Sequence, residues 1–206
     1  MQKILLILLF IVCCFPDIWA KNGEKYTRHE VYGGIGFGPL KDAIPENAPY
    51  FDALSASYLF KNKDYSETFM AGYMISLSRN MAIGLSYSTF KMESELWINA
   101  AKYRTAVVSA KYNIWMLNAR YKWLQRGSLS LYSRAGVGVI NMKVDEPEYD
   151  DMGAFGSITG WENQNGFAWQ VVPVGVQYTF FKHIGLFAEG GIGIESCFSA
   201  GLKLLF

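Results

Sequence analysis

Hydrophobic and polar residues alternate along much of this chain. The stretch that begins at Leu129 reads LSLYSRAGVGVI, and its residues fall into two alternating sets. Leu129, Leu131, Ser133, Ala135, Val137 and Val139 form one set, and they oppose Ser130, Tyr132, Arg134, Gly136 and Gly138. Because successive side chains of a β-strand point to opposite faces, the stretch predicts a strand with one apolar face and one polar or small face.

The same period of two recurs elsewhere. Ile184, Leu186, Ala188, Ile192 and Ile194 oppose Gly185, Phe187, Glu189, Gly191 and Gly193, and Phe198, Ala200, Leu202, Leu204 and Phe206 oppose Cys197, Ser199, Gly201, Lys203 and Leu205. The stretches that begin at Phe69, Met81 and Trp115 continue the pattern. Pro173 lies inside another such stretch and cannot donate to a ladder, so it predicts a bulge or a rim position. Without the register shift of a bulge, Gln170 would fall on the apolar face.

The connections between these predicted strands are of two kinds. Three are tight turns, with the sequences SRN at Ser78, QRG at Gln125 and FKH at Phe181. The connections at the other end are mostly long, and we place the long ones at Pro39 to Ser66, Lys91 to Lys111 and Val144 to Asn165. Short turns on one rim and long loops on the other are typical of outer-membrane barrels. The pattern therefore predicts an all-β fold, a transmembrane antiparallel up-and-down β-barrel of about eight strands with long external loops.

The stretch YFDALSASYLF from Tyr50 leaves the strand count open. If it is a strand, a further strand is needed and the count becomes about ten; we favour a helix or an irregular loop. Aromatic residues fit the two interfacial girdles of a barrel. They are Trp115, Tyr121, Trp123, Tyr178, Phe180 and Phe206. A soluble lipocalin-like binder is the alternative fold, because soluble barrels also alternate.

The first 20 residues read MQKILLILLFIVCCFPDIWA and predict a secretory signal peptide. Lys3 precedes an apolar run that is too short to span a bilayer, and Ala20 offers a small residue at the cleavage point. A lipoprotein signal at Cys13 or Cys14 is the weaker alternative. The mature barrel domain is then 21–206, without an 18-residue apolar run, and Cys197 remains as its single cysteine, so an intrachain disulfide cannot form.

Composition excludes some classes of function. The formal net charge is +1 and charged residues make up 18% of the chain, so nothing predicts a nucleic-acid partner. The glycine-rich sequence GGIGFG at Gly33 is followed by a loop instead of a helix, so it does not fit a dinucleotide-binding site. We expect no cofactor.

The C-terminal sequence GLKLLF resembles the signal that the barrel-assembly machinery reads, through Gly201, Leu204 and Phe206. The stretches LYSRAGVGV, PVGVQYTFF and LFAEGGIGIESCFSAGLKLLF are similar to the last strands of small eight-stranded outer-membrane barrels of the OmpA/OmpX type. The resemblance implies an outer-membrane location, contact with outer-membrane lipid and lipopolysaccharide, assembly by that machinery and a monomeric state. It implies little about function, because these barrels serve many functions.

Charged residues on the polar strand faces predict an interior salt-bridge network. They are Arg120, Lys122, Arg134, Glu189 and Lys203. If the last hairpin turns near Glu195, then Glu189 and Lys203 face each other and should pair. An ion path is the alternative, but an eight-stranded barrel has little room beyond its own side chains.

The connection after Val144 is acidic. It carries Asp145, Glu146, Glu148, Asp150, Asp151 and Glu162. Such carboxylates could hold Ca²⁺ or Mg²⁺, but their spacing matches no calcium loop, and we expect a solvated surface and no metal site. The aromatic residues Tyr149, Phe155 and Trp161 could contact a partner or glycan, whose identity is unknown.

An enzyme is disfavoured because the chain has two histidines, His29 and His183, and both are predicted at the periplasmic rim. The lipid-modifying barrel enzymes use a serine beside a histidine at the outer rim or outer surface, which neither histidine can reach. We expect Cys197 to face inward as a packed side chain. The sequence predicts a non-enzymatic barrel with a structural or surface-interaction role through its external loops, with a lipid-modifying enzyme or a narrow channel as alternatives.

Overall fold

The computed structural model describes residues 28–38, 58–98, 103–144, 148–149, 164–181 and 183–206. Within these ranges the chain forms ten strand segments and no helix that is long and apolar enough to cross a membrane. The segments are β1 (Arg28–Phe37), β2 (Tyr58–Tyr65), β3 (Thr68–Ser76), β4 (Met81–Ile98), β5 (Tyr103–Arg126), β6 (Leu129–Val144), β7 (Glu148–Tyr149), β8 (Gln164–Phe180), β9 (Ile184–Gly193) and β10 (Phe198–Leu205). The signal-peptide prediction concerns residues outside the described ranges.

Eight of these strands close into a ring. Antiparallel ladders run in the order β4-β3-β1-β10-β9-β8-β6-β5, and β5 pairs back onto β4. The ring includes a pairing of the first and last described strands, since Glu30 on β1 is opposite Leu205 and Phe37 is opposite Phe198 on β10. The predicted all-β class and eight-stranded antiparallel barrel are confirmed. Closure satisfies the backbone groups of every strand in the ring, which an apolar environment requires.

β2 is not an additional strand of the ring. It pairs with the outer part of β4, where Tyr65 is opposite Met92, and β3 pairs with the inner part, where Phe69 is opposite Thr89. β2 and β3 therefore lie end to end along the same edge of β4. The expectation of a helix or irregular loop is wrong for Tyr58 to Phe60, which belong to β2. The predicted loop Pro39 to Ser66 therefore ends in a strand. Residues 50–57 lie outside the described ranges. The strand count stays at eight because β2 extends β3.

The predicted loop from Lys91 to Lys111 is also wrong. β4 continues to Ile98 and β5 begins at Tyr103, with Lys91 directly opposite Lys111 in the ladder. The inward positions here, which include Met92 and Ala110, are buried and belong to an apolar cluster. Burial on that face keeps the two strands paired, although their outward residues are polar. β7 adds a two-residue pairing with Ala106 and Val107, and most of the predicted Val144 to Asn165 connection lies outside the described residues.

The three tight turns lie together at one rim of the barrel, as predicted. They connect β3 to β4, β5 to β6 and β8 to β9. Phe206 lies at this rim as well, because its backbone N–H donates to His29 at 3.0 Å and its carbonyl accepts from His29 at 2.8 Å. We call this end the short-turn rim and the opposite end the long-loop rim.

The predicted bulge at Pro173 is present. The ladders of β8 shift register between Val171 and Val174 on one side and between the partners Tyr132 and Arg134 on the other. The shift places Gln170 in the interior, where it is buried. Ser133 donates a hydrogen bond of 2.6 Å to the Pro173 carbonyl, which satisfies an acceptor that the bulge removes from the ladder.

The outward and inward faces follow the alternation, with two exceptions at the β9–β10 turn. Ile194 was predicted on the outer face and is buried, because the turn folds into the barrel with Glu195 and Ser196. Cys197 was predicted to face inward and is exposed. Both errors arise at the end of a strand, where a tight turn replaces the pleat that sets the alternation.

Candidate functional site

The centre of the barrel contains a layer of buried charges. Arg120 donates two hydrogen bonds to the carboxylate of Glu30, at 2.6 and 2.7 Å, so the pair is bidentate. Lys203 donates to the same carboxylate at 3.2 Å and to Gln177 at 3.1 Å. One carboxylate thus binds two cations, Lys203 from the neighbouring strand β10 and Arg120 from β5 across the lumen.

A second part of this layer is centred on Arg134. Its guanidinium donates to Glu189 at 2.8 Å and to Glu195 at 3.0 Å, and it also donates to the Asn118 side chain at 2.8 Å. Tyr132 donates to the other oxygen of Glu189 at 2.9 Å. Buried ions are tolerated in proteins when they are paired and hydrogen-bonded in this way.

Four of the five charges proposed from the sequence lie in this layer, but one proposed pair is wrong. Glu189 is opposite Ser199, and Lys203 is opposite Gly185, so the two do not face each other. The β9–β10 hairpin places Ala188 opposite Ala200. A pairing of Glu189 with Lys203 would require the turn to lie about two residues later in the sequence. Glu189 instead pairs with Arg134 of β6, and Lys203 pairs with Glu30 of β1.

The fifth predicted residue, Lys122, lies at the short-turn rim. It is partly exposed and lines a depression of about 370 Å³ together with Gln125, Ser130 and Gln177. Sequence reasoning missed two members of the buried layer, Glu30 and Glu195. Glu30 had a usable signal, since it alternates with Tyr32 and Gly34 on the inward face, whereas Glu195 occupies a turn that carries no period.

Towards the long-loop rim the interior becomes apolar. The cluster consists of Phe90, Met92, Ala110, Tyr112, Ile114, Met116, Ile140, Met142, Ala168 and Ile194. Phe90 and Tyr112 stack at 4.8 Å between ring centroids. The cavity among the buried charges measures about 10 Å³, which holds one water at most. The described part of the lumen is therefore filled by polar side chains at its centre and by apolar side chains above them.

The outer surface changes character in three successive rows towards the long-loop rim. The first row contains Tyr87, Trp115, Val139 and Phe167, which are cross-strand partners on β4, β5, β6 and β8. The second contains Thr89, Asn113, Asn141 and Asn165, in the same register. The third contains Lys91, Lys111 and Lys143. We call these the aromatic row, the amide row and the lysine row.

The amide row is tied together by side-chain hydrogen bonds. Asn141 donates to Asn165 at 2.7 Å, and Tyr87 of the aromatic row donates to Asn113 at 2.7 Å. Below the aromatic row, the outward residues are apolar as far as the short-turn rim except for Ser133 on β6; on β5 they are Leu117, Ala119, Tyr121 and Trp123. This apolar belt spans about 20 to 25 Å, from nine residues of a tilted strand, which matches the apolar band of membrane barrels.

Both histidines lie at the short-turn rim, and neither pairs with a serine. His29 Nδ1 contacts the Tyr73 hydroxyl, and its ring stacks near Phe206 with centroids 6.1 Å apart. His183 Nδ1 lies 3.0 Å from the Leu205 carbonyl. Among the described residues, no group of three or more His, Cys, Asp or Glu side chains is placed to hold a metal ion.

The residues of the predicted assembly signal lie on β10 and at its end. Leu204 and Phe206 are exposed on the outer face, and Gly201 packs where a Cβ would lie 2.2 Å from the Gly33 carbonyl oxygen. Recognition of these residues by the assembly machinery stays a prediction.

No family model and no curated protein matches this sequence. Among solved structures, the chain is similar to the N-terminal β-barrel domain of Pseudomonas aeruginosa OprF, with 15% identity, coverage of 88% of this chain and 98% of that one, and a TM-score of 0.47. It is also similar to the outer membrane protein OprG of Pseudomonas aeruginosa, with 10% identity, coverage of 89% and 98%, and a TM-score of 0.48.

A third similar structure is Ail, the attachment invasion locus protein of Yersinia pestis, with 11% identity, coverage of 87% and 95%, and a TM-score of 0.41. At these identities the likeness concerns the fold alone. The eight strands and their closed ladder place the chain among small antiparallel up-and-down β-barrels.

Proposed function

We propose that this protein is a monomeric outer-membrane barrel with a sealed interior, which serves as a non-enzymatic structural or surface-interaction protein through its long-loop rim. The observation that carries the proposal is the filled lumen in the described part of the barrel, with a cavity of about 10 Å³ among its buried charges. Because packed side chains fill the interior, binding or contact with a partner must take place on the outer surface or at the rims.

The apolar belt supports the location. Large apolar side chains such as Leu85, Leu117 and Phe167 are exposed on the outside of the ring, while Arg134, Glu189 and Lys203 are buried inside it. A soluble lipocalin-like binder needs the opposite arrangement, with apolar residues inside and polar residues in water. Lipid outside the ring removes the cost of exposing this belt.

The buried layer argues against the narrow-channel alternative. Glu30, Arg120 and Lys203 form one group of direct contacts across the lumen, and Arg134 forms another with Glu189 and Glu195. An ion that passes through must separate buried pairs and then cross the apolar cluster that contains Phe90 and Ile114. Separating a buried pair costs about 3 to 5 kcal/mol, which is a steep barrier to permeation.

The histidines argue against a serine hydrolase. His29 and His183 are engaged by Tyr73 and by a backbone carbonyl at the short-turn rim, at the far end of the barrel from the lysine row. A serine nucleophile needs a general base within hydrogen-bond reach. A lipid-modifying enzyme would require a different base.

The outer sheet supports a surface role. β4 and β5 remain paired above the amide row as far as Ile98 and Tyr103, about nine residues beyond it. At about 3.3 Å per residue, this hairpin projects some 20 Å out of the apolar belt along a tilted path. A folded projection of this size offers a defined surface instead of a flexible loop.

The proposal is tested by location, orientation and conductance. We expect the exported protein to fractionate with the outer membrane and to migrate faster on a gel without boiling. A membrane-impermeant thiol reagent should label exposed Cys197 on intact cells, with Cys197→Ser as the control. Planar bilayers should stay silent. Steady unitary conductance would refute the sealed interior, and a soluble protein would refute the membrane location.

A further inference from the structure

The lysine row is an unusual arrangement for a β-sheet. Lys91 is directly opposite Lys111, and Lys111 is directly opposite Lys143, so three cations lie side by side on adjacent strands. All three side chains are exposed on the outer face. Like charges directly opposite each other in a ladder are destabilising, so the row needs a compensating partner.

No such partner comes from the described part of the chain. Among the described residues, the side chains of Lys91, Lys111 and Lys143 form no hydrogen bond and no ion pair within 4.0 Å. The next outward row carries Glu93, opposite Asp64 and Ser109, but it forms no ion pair with the lysines. The lysine row is therefore a concentrated positive charge that no described carboxylate pairs with directly, although Glu93 and Asp64 lie in the next row.

The depth of the row indicates what could supply the negative charge. Lys111 is four residues from Trp115, which is about 13 Å along the strand and about 10 Å along the barrel axis for a strand tilted by about 40°. Aromatic belts sit at the level of the lipid headgroups, and the headgroup region adds roughly 5 to 7 Å on each side of the hydrocarbon. Flexible lysine side chains can reach back into this layer.

We propose that Lys91, Lys111 and Lys143 form a binding site for the phosphate groups of lipid headgroups in the leaflet at the long-loop rim. The inference rests on the proposed membrane location. The aromatic row holds the acyl boundary, the amide row offers hydrogen bonds to sugar or glycerol hydroxyls, and the lysine row neutralises the phosphates above them. Three cations on neighbouring strands about 5 Å apart suit a lipid that carries more than one phosphate.

The test compares two double variants of the purified full barrel in an uncharged detergent. Lys91→Gln with Lys111→Gln removes two charges from the row. Arg79→Gln with Arg126→Gln removes two exposed charges from the short-turn rim and is the matched control. The probes are lipid A with both phosphates, lipid A with its phosphates removed, and inorganic phosphate.

We expect wild type to bind bisphosphorylated lipid A at least tenfold more tightly than the dephosphorylated form. Each lysine near a charged lipid surface contributes roughly fivefold in affinity, so the lysine double variant should bind about 25-fold more weakly. The arginine control should stay within twofold of wild type. Without lipid, the lysine double variant should also melt at a higher temperature than wild type, because the repulsion between opposite lysines is gone.

Two outcomes overturn the proposal. Equal affinity of wild type and the lysine double variant for bisphosphorylated lipid A would show that the row does not bind it. If millimolar inorganic phosphate raises the melting temperature of the wild-type barrel as much as bisphosphorylated lipid A does, the row binds a free anion instead of a lipid. Either result leaves the proposed function intact if the protein still fractionates with the outer membrane and is silent in bilayers.

Discussion

The Tyr132 hydroxyl donates a hydrogen bond of 2.9 Å to Glu189, across the strand that lies between them. Tyr132 on β6, Gly175 on β8 and Glu189 on β9 are in register, and the tyrosine ring lies over the glycine. A Cβ on Gly175 would come within 2.5 Å of that ring. The missing side chain on β8 is what allows a residue of β6 to reach a residue of β9.

Gly175→Ala should therefore destabilise the barrel. The added methyl group forces Tyr132 off Glu189 in a packed interior, and overpacking of this kind costs about 1 to 3 kcal/mol. Denaturant unfolding of the detergent-solubilised protein measures the free energy of unfolding. Gly190→Ala is the control, because a Cβ at Gly190 meets nothing within 4 Å. Equal stabilities of the two variants would contradict the packing described for Tyr132.

Glu30→Gln should be more damaging than any surface change. The substitution leaves Arg120 and Lys203 buried without the carboxylate that both now contact. Breaking a buried ion pair by removing one partner costs about 3 to 5 kcal/mol. Denaturant unfolding measures the effect, and exposed Glu93→Gln is the matched control. The control should change the free energy of unfolding by less than about 0.5 kcal/mol. A mild effect at Glu30 would mean that water replaces the lost carboxylate.

Stability above pH 10 should depend on Tyr112, which lies above the amide row and outside the apolar belt. Burial raises the pKa of Tyr112 from 10.0 to about 12. In this window the unfolded chain loses the phenolic proton while the folded chain keeps it, so the folded state binds more protons. The stability contributed by neutral Tyr112 is fully present below pH 10 and is lost as the pH rises through 12.

Tyr112→Phe should flatten this decline, because phenylalanine has no proton to lose in either state. The measurement is the free energy of unfolding of wild type and variant between pH 9 and 12, with exposed Tyr178→Phe as the control. The slope of the Tyr178 variant should match that of wild type. An unchanged slope in the Tyr112 variant would mean that its hydroxyl reaches water in the folded protein.

Phe206→Ser should reduce delivery to the outer membrane more than it reduces stability. Phe206 is 62% exposed, and its two hydrogen bonds to His29 come from its backbone, so the pairing of β1 with β10 does not need the side chain. If Phe206 belongs to an assembly signal, cells should accumulate unassembled protein, seen as loss of the fast-migrating band. Phe198→Ser, at the other end of β10, is the control. Equal assembly of both variants would remove Phe206 from the signal.

The strand faces could be predicted because the pleat enforces them locally. The alternation around Leu129 and Leu202 gave the correct outer residues, and Pro173 marked the bulge because it lacks a backbone donor. The loop from Lys91 to Lys111 was mispredicted for a complementary reason. Its outward lysines resemble a solvated loop, but inward Met92 and Ala110 are buried, and that burial depends on neighbouring strands.

The partners of the interior charges could not be derived in the same way. The sequence placed Arg134, Glu189 and Lys203 on the inward face, but the position of the β9–β10 turn moved Lys203 out of register with Glu189. Glu30 reaches Arg120 although 90 residues of chain separate them. Such contacts depend on ring closure, strand order and bulges. Each of these determines where one strand lies relative to another, which the alternation within a single strand does not specify.

Alternation and composition were enough to identify an apolar outer face, a polar inner face and a strand-based barrel, because these properties depend on residues one or two positions apart. Register and closure determined which charges meet, where the lumen is filled and which lysines line up on the outside. A shift of one residue in a ladder exchanges the two faces, and a shift of two keeps the faces but changes every cross-strand partner. Because the alternation is unchanged by a shift of two, it cannot specify the cross-strand partners, which are determined by the folded ring.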